Sequence, residues 1–222
     1  MANEFRLPGA THRTGIFGRT GSGKTRQAAW LLSLSPFDKV PYVVIDYKLE
    51  QLFTQTDRIR EIGFDEVPKK PGVYILRPLP TDDDAVEAWL WKLHQRENCG
   101  IYVDEGYGID PKSKALRAVL TQGRSKRLPV IYISQRPAWI SPFVVSEADF
   151  LSVFQLTKPE DRQRVAAIMP ALDLDVSQSL PEYHSRWYDV GRAQGFTLKP
   201  VPSDDDILNR LDDRLKPKRK AL

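Results

Sequence analysis

Gly18-Arg19-Thr20-Gly21-Ser22-Gly23-Lys24-Thr25 matches G-x-x-x-x-G-K-T without a gap. It follows a short apolar run, Thr14–Phe17, and opens a helical pattern over Lys24–Leu34 that ends near Pro36. The three glycines let the backbone curl until its N–H groups point inward, and the helix start adds positive potential for an anion. In such a loop Lys24 reaches the β- and γ-phosphates of a nucleotide and the Thr25 hydroxyl serves as a Mg²⁺ ligand. Gly18, Arg19, Thr20, Gly21, Ser22, Gly23, Lys24 and Thr25 are therefore expected to bind ATP. A strand–loop–helix of this kind also predicts an α/β fold built on a mainly parallel sheet flanked by helices.

The rest of the chain extends that pattern. Apolar runs at Val40–Asp46, Val73–Leu76, Ile101–Asp104, Val130–Ser134 and Phe150–Gln155 read as strands covered on both faces. Helical spacing recurs between them. Thr81-Asp82-Asp83-Asp84 offers acceptors for a helix start, with Val86, Trp89, Leu90 and Leu93 on one face. Ser113–Gln122 carries Leu116, Val119 and Leu120, and Glu160–Ile168 is stopped by Pro170. Tyr183–Val190 and Phe196–Val201 flank Gly191-Arg192-Ala193-Gln194-Gly195 and predict a C-terminal β-hairpin. The expected organisation is one domain over 1–201, with its core at about 14–168 and the hairpin at about 182–201. A polar, basic tail over 202–222 follows, ending in Lys216-Pro217-Lys218-Arg219-Lys220.

Composition narrows the classes. In 222 residues, 41% are hydrophobic and 28% charged, an ordinary globular balance. One cysteine, Cys99, excludes an intrachain disulfide. His12, His94 and His184 lack metal-ligand spacing. No apolar stretch approaches the ~20 residues of a membrane span, and the first residues lack signal-peptide character. An intracellular chain is expected. The net charge of +4 suits an anionic partner and equally suits a solvated surface.

Two further strand ends carry chemistry. Ile101-Tyr102-Val103-Asp104-Glu105 ends in paired acids: Asp104 is placed to hold Mg²⁺ and Glu105 to polarise a water against the γ-phosphate. The second acid points to ATP hydrolysis rather than binding alone. Val130-Ile131-Tyr132-Ile133-Ser134-Gln135 ends in an amide, either a strand cap or a group that reaches the γ-phosphate or the attacking water. Gly123-Arg124-Ser125-Lys126-Arg127 lies at a helix end, where Arg124 is either a cation favoured by the helix dipole or a finger for a neighbouring subunit's site. Trp89, Trp91, Trp187 and Tyr188 read as packing residues.

The order of these elements resembles the FtsK–HerA superfamily of DNA-pumping ATPases. The elements are the glycine loop, Asp46-Tyr47-Lys48, Asp104-Glu105, Gly123-Arg124 and Gln135-Arg136-Pro137. In that family the second core strand often ends in Asp-x-Lys and the sensor strand in Gln-Arg-Pro, and a Gly-Arg element supplies an intersubunit arginine. The resemblance covers about 14–168. It implies a RecA-like P-loop ATPase core in which another strand separates the P-loop strand from the acid-pair strand. The chain departs from the family at Ser125-Lys126-Arg127-Leu128, where small residues and a glycine are usual, so the finger falls on Arg124 or Arg127.

Lacking membrane helices and a winged-helix domain, the chain looks like the small genome-packaging ATPases of double-stranded DNA viruses, the tectivirus-like lineages. That resemblance implies a homo-oligomeric ring, pentamer or hexamer, at a capsid vertex. It implies double-stranded DNA and a capsid or vertex protein as partners, in the host cytoplasm with the procapsid or virion. Lys48, Lys112 and Lys114 are then candidates for DNA-facing loops. Other readings are a non-viral translocase of the same superfamily, a virion assembly or secretion factor like the zonula-occludens-toxin-like proteins, and a small-molecule kinase.

Overall fold

The computed structural model describes residues 5–169 and 179–216. In chain order the elements are β1 (Arg13–Phe17), α1 (Lys24–Leu34), β2 (Pro41–Asp46), α2 (Gln51–Thr54), β3 (Arg60–Glu61), β4 (Gly72–Leu76), α3 (Asp83–Arg96), β5 (Gly100–Asp104) and α4 (Lys114–Gln122). There follow β6 (Val130–Ser134), α5 (Pro142–Ser146), β7 (Phe150–Val153), α6 (Pro159–Ala166), β8 (Ser185–Asp189), β9 (Gln194–Leu198) and α7 (Asp204–Leu215).

Among the described residues these strands form one sheet, ordered β3-β4-β2-β5-β6-β1-β7-β8-β9. From β3 to β7 all neighbours are parallel, and β8 and β9 add as antiparallel strands at the β7 edge. The sensor strand β6 thus separates the glycine-loop strand β1 from the acid-pair strand β5, as the RecA-like reading implied. The carboxyl ends of β1, β6, β5 and β2 therefore lie side by side on one edge, where ligands bind in open α/β sheets.

Alternation along each strand sorts the core into two layers. Val43, Ile45, Ile101 and Val103 face α3 and α4, against Trp89, Leu90, Leu116 and Val119. Tyr42, Val44, Tyr102 and Ile131 face α1 and α7, against Ala28, Leu32, Ile207 and Leu211. All of these are buried, and burial of this kind supplies most of the drive to fold at roughly 25 cal/mol per Å² of apolar area. Trp89 is fully buried, with its indole N–H donating to the Glu66 carbonyl at 2.8 Å, and Trp187 is fully buried at the hairpin. The packing reading of both rings holds.

The structure departs from expectation at the C-terminus. The segment read as a polar tail from 202 onward is helical over Asp204–Leu215. Ser203 and Asp206 cap it reciprocally, and Ile207 and Leu211, four residues apart, insert against α1. Thr56 donates to Asp212 at 2.5 Å, tying the helix to the loop after α2. Eight of its twelve residues are polar or charged, which gave the segment its polar look, and the three aspartates of its first turn favour a helix N-terminus. The basic residues from Pro217 onward, and Pro170 as a helix stop, lie outside the described residues.

A smaller difference concerns α3. Asp82 occupies the N-cap position, but its carboxylate turns back to accept from the Leu79 N–H at 2.8 Å rather than capping the helix.

Candidate nucleotide site

The loop between β1 and α1 is shaped by its glycines. A Cβ on Gly18 would stand 2.5 Å from Cβ of Phe154, so only hydrogen fits there. Gly23 holds φ 99° as the left-handed N-cap of α1, and no side chain caps the helix start. The first N–H groups of α1 are consequently left for an anion. The Lys24 ammonium donates to the Arg19 carbonyl at 2.8 Å, folded back over the loop.

Beside the loop, β5 and β6 deliver the polar groups the sequence singled out. The Thr20 hydroxyl donates to Gln135 Oε1 at 2.7 Å, and Gln135 Nε2 donates to Glu105 Oε1 at 2.8 Å. Loop, amide and acid therefore form one hydrogen-bonded chain. Glu105 takes a left-handed backbone conformation, φ 50°, which turns its side chain out of the strand direction. Gly106 follows because Tyr132 fills the space a Cβ would need, and the Tyr132 hydroxyl donates to the Gly106 carbonyl at 2.5 Å.

Asp104 is 1% exposed, and neither carboxylate oxygen has a hydrogen-bond partner in the protein. Burial, with Glu50 and Asp46 nearby, raises its pKa to about 6 against the pull of Lys48 and Lys24. Burial and then Lys48 lower the Lys24 ammonium to about 8, opposed by Asp104. Two orphaned carboxylate oxygens a short way from the loop lysine are what a bridging cation would satisfy. No group of three or more His, Cys, Asp or Glu side chains suited to a metal occurs among the described residues. A cation here would take Thr25, Asp104, phosphate oxygens and water, the mixed set that Mg²⁺ favours. The residues present fit it.

A cavity of about 250 Å³ opens over the loop, lined in part by Gly21, Gly23, Lys24 and Thr25. Another hollow, of about 230 Å³, lies between the starts of α3 and α4, walled by Asp83, Asp84, Glu87 and Asp110 together with Lys112 and Lys114. Its four carboxylates outnumber its two lysines, a poorer setting for phosphate than the glycine loop.

One expectation changes. Lys48, expected in a DNA-facing loop, is ion-paired with Glu105, because β2 and β5 are neighbours and Asp46 stands in register with Asp104. Asp46, Glu50 and Arg77 were not singled out as site residues: Asp46 Oδ1 accepts from the Lys48 and Glu50 N–H groups, and Arg77 lies 3.5 Å from Asp46. The signal available was the Asp-x-Lys at a strand end. Arg136 of the Gln-Arg-Pro element turns away to Asp161 at 2.6 Å and stacks over Trp139.

Arg124 stands apart from this chain's own loop. Its side chain is 65% exposed, 3.7 Å from Asp149, which is hydrogen-bonded to Arg13 at the start of β1. That is the amino end of the sheet, opposite the nucleotide edge. Arg127 is also exposed.

Comparison with known proteins agrees with this geometry. No family model matches the chain. The structure is similar to the genome packaging NTPase B204 of Sulfolobus turreted icosahedral virus 2 in complex with sulfate, with a TM-score of 0.71 and 20% identity over 88% of this chain and 100% of that one. The AMPPCP complex of B204 gives the same TM-score at 21% identity, over 87% of this chain and 100% of that one. EssC (ATPases 2 and 3) of Geobacillus thermodenitrificans gives 0.62 at 12% identity, over 93% of this chain and 43% of that one. These likenesses establish the RecA-like fold.

The sequence itself is 40% identical over 217 residues to the DNA packaging ATPase P9 of Enterobacteria phage PRD1, spanning 94% of this chain and 95% of that protein. By that identity across nearly the full length of both sequences, the chain belongs to the viral DNA-packaging ATPases of the FtsK–HerA type.

Proposed function

We propose that the chain is the motor subunit of a homo-oligomeric ring, a pentamer or hexamer, that drives double-stranded DNA into a capsid at one vertex. It would act in the host cytoplasm, joined to the procapsid or virion by a capsid or vertex protein. The observation that carries this reading is the hydrogen-bonded chain Thr20–Gln135–Glu105, which couples the phosphate loop to the acid that would activate water.

In this reading the N–H groups of Gly21 to Thr25 and the Lys24 ammonium bind the β- and γ-phosphates. Mg²⁺ bound by Thr25 and Asp104 would neutralise phosphate charge. Glu105 accepts the proton of the attacking water, oriented by Gln135, as the water oxygen bonds the γ-phosphorus and the bond from that phosphorus to the β–γ bridging oxygen breaks, releasing ADP and phosphate. Lys48 holds Glu105 between turnovers. Arg124 serves the site of the next subunit, since it lies at the opposite end of its own sheet. Contacts to DNA phosphates suit a motor that must ignore sequence.

The test is ATP turnover with and without long double-stranded DNA, over a range of protein concentrations and two salt levels. A DNA-dependent rate that rises cooperatively with protein and collapses at high salt is expected. Turnover indifferent to DNA at every concentration, with the capsid partner also supplied, would remove the motor reading.

A further inference from the structure

The cavity over the loop continues past Thr25 to groups that the phosphate chemistry does not use. Besides the loop, Tyr183, Arg26, Asp204, Glu50 and Leu52 line it. Arg26 pairs with Asp204 and Tyr183 stands beside Gly23, whereas the Glu50 N–H donates to Asp46. Glu50 acts on Asp104, so it belongs with the acid pair and the γ-phosphate. The base and ribose of a nucleotide held by Lys24 and Thr25 must therefore extend toward Tyr183.

Tyr183 is unusual for an exposed aromatic residue. The residue is 44% exposed, yet its ring sits against the loop, 3.3 Å from where a Gly23 Cβ would stand. The backbone there is left-handed, φ 58°, a conformation that costs on the order of 1 kcal/mol for a residue other than glycine. Its turn is pinned to the loop through Gln155, which accepts from the Leu180 N–H at 3.0 Å and, by its carbonyl, from the Arg19 N–H at 3.3 Å. A solvated tyrosine needs none of this. Next to it, Asp204, the first residue of α7, pairs with Arg26 at 2.7 Å, both half exposed. A carboxylate in that position would repel phosphate but accepts hydrogen bonds from sugar hydroxyls.

We propose that Tyr183 is the platform on which the nucleobase stacks, and that Asp204, held by Arg26, receives the ribose hydroxyls. The proposal rests on the loop being the ATP site. It makes the C-terminal part of the chain, the approach to β8 and the start of α7, a component of the nucleotide site. A stacked ring reads the face of a base and not its edge, so every purine triphosphate gains from it alike.

The test compares affinities, by calorimetry with Mg²⁺ present, for a non-hydrolysable ATP analogue, its GTP counterpart, its 2′,3′-dideoxy counterpart and inorganic tripolyphosphate. Tyr183→Ala should weaken both purine analogues by about 5- to 150-fold and leave tripolyphosphate unchanged, while Tyr183→Phe stays within about 2-fold of the parent. Asp204→Asn should erase the parent's preference for the ribose over the dideoxy analogue. An unchanged affinity in Tyr183→Ala, or an equal loss for tripolyphosphate, overturns the platform. No ribose preference in the parent overturns the role of Asp204. If the parent fails to bind tripolyphosphate at all, the fault lies with the loop assignment and not with Tyr183.

Discussion

Gln135 Nε2 donates to Glu105 Oε1 at 2.8 Å, joining the ends of two adjacent parallel strands, while Thr20 of the glycine loop donates to the other end of the same amide. An amide is suited to this place because it donates on one side and accepts on the other. A nucleotide that displaces Thr20 would thereby be felt at the acid.

The first prediction concerns that chain. Glu105→Gln keeps the shape and removes the base, so nucleotide affinity should stay within a few-fold while turnover falls by about 10²-fold or more. Gln135→Leu should also lower turnover with little change in affinity. Single-turnover rates alongside equilibrium binding separate the two effects, and a parallel loss of affinity would contradict the assignment.

Asp104 gives a pH prediction. Its folded pKa, about 6, stands above the ordinary 3.8, so the folded state holds the proton more tightly than the unfolded chain. Its contribution is thus most favourable at low pH and is lost as pH rises from about 4 to 6. At neutral pH the ionised, unpartnered carboxylate costs on the order of 2–3 kcal/mol, with the attraction of Lys24 and Lys48 already included. Asp104→Asn should therefore raise the melting temperature of the nucleotide-free protein by a few degrees at pH 7.5, with the gap closing near pH 4. Mg-ATP should stabilise the parent more than the variant.

Arg124 lies at the end of the sheet opposite its own loop. Arg124→Ala should leave ATP binding intact and abolish most turnover. Mixed with Glu105→Gln protein, it should recover part of the rate, because interfaces then form that combine an intact arginine with an intact acid. Titrating one variant into the other measures this; a flat response would rule out a finger acting between subunits. Arg127→Ala in the same assay decides between the two arginines.

Leu211 is fully buried under α1. Leu211→Ala should cost about 2–5 kcal/mol by denaturant unfolding, as large-to-small changes in packed cores do. A change below about 0.5 kcal/mol would show that α7 is not docked as described.

The strand and helix pattern was legible because parallel strands covered on both faces are continuous apolar runs, and Val130–Ser134 and Lys24–Leu34 have the bounds their patterns suggest. The helix at Asp204–Leu215 was also written in the sequence, as Ser203 with Asp206 and the four-residue spacing of Ile207 and Leu211. Its acidic start obscured it.

By itself the sequence determined the glycine loop and the Asp104-Glu105 pair at a strand end, since both are local: a few adjacent residues fix the backbone and the side chains it carries. Only the tertiary structure decided that Lys48 meets Glu105 and that Gln135 bridges Thr20 to it. It also decided that Arg124 faces away and that Tyr183 stands beside Gly23, which is 160 residues earlier. Those relationships depend on which strands become neighbours and on where the edge hairpin returns the chain. Strand order is set by packing over the whole sheet, and no short window of sequence contains it.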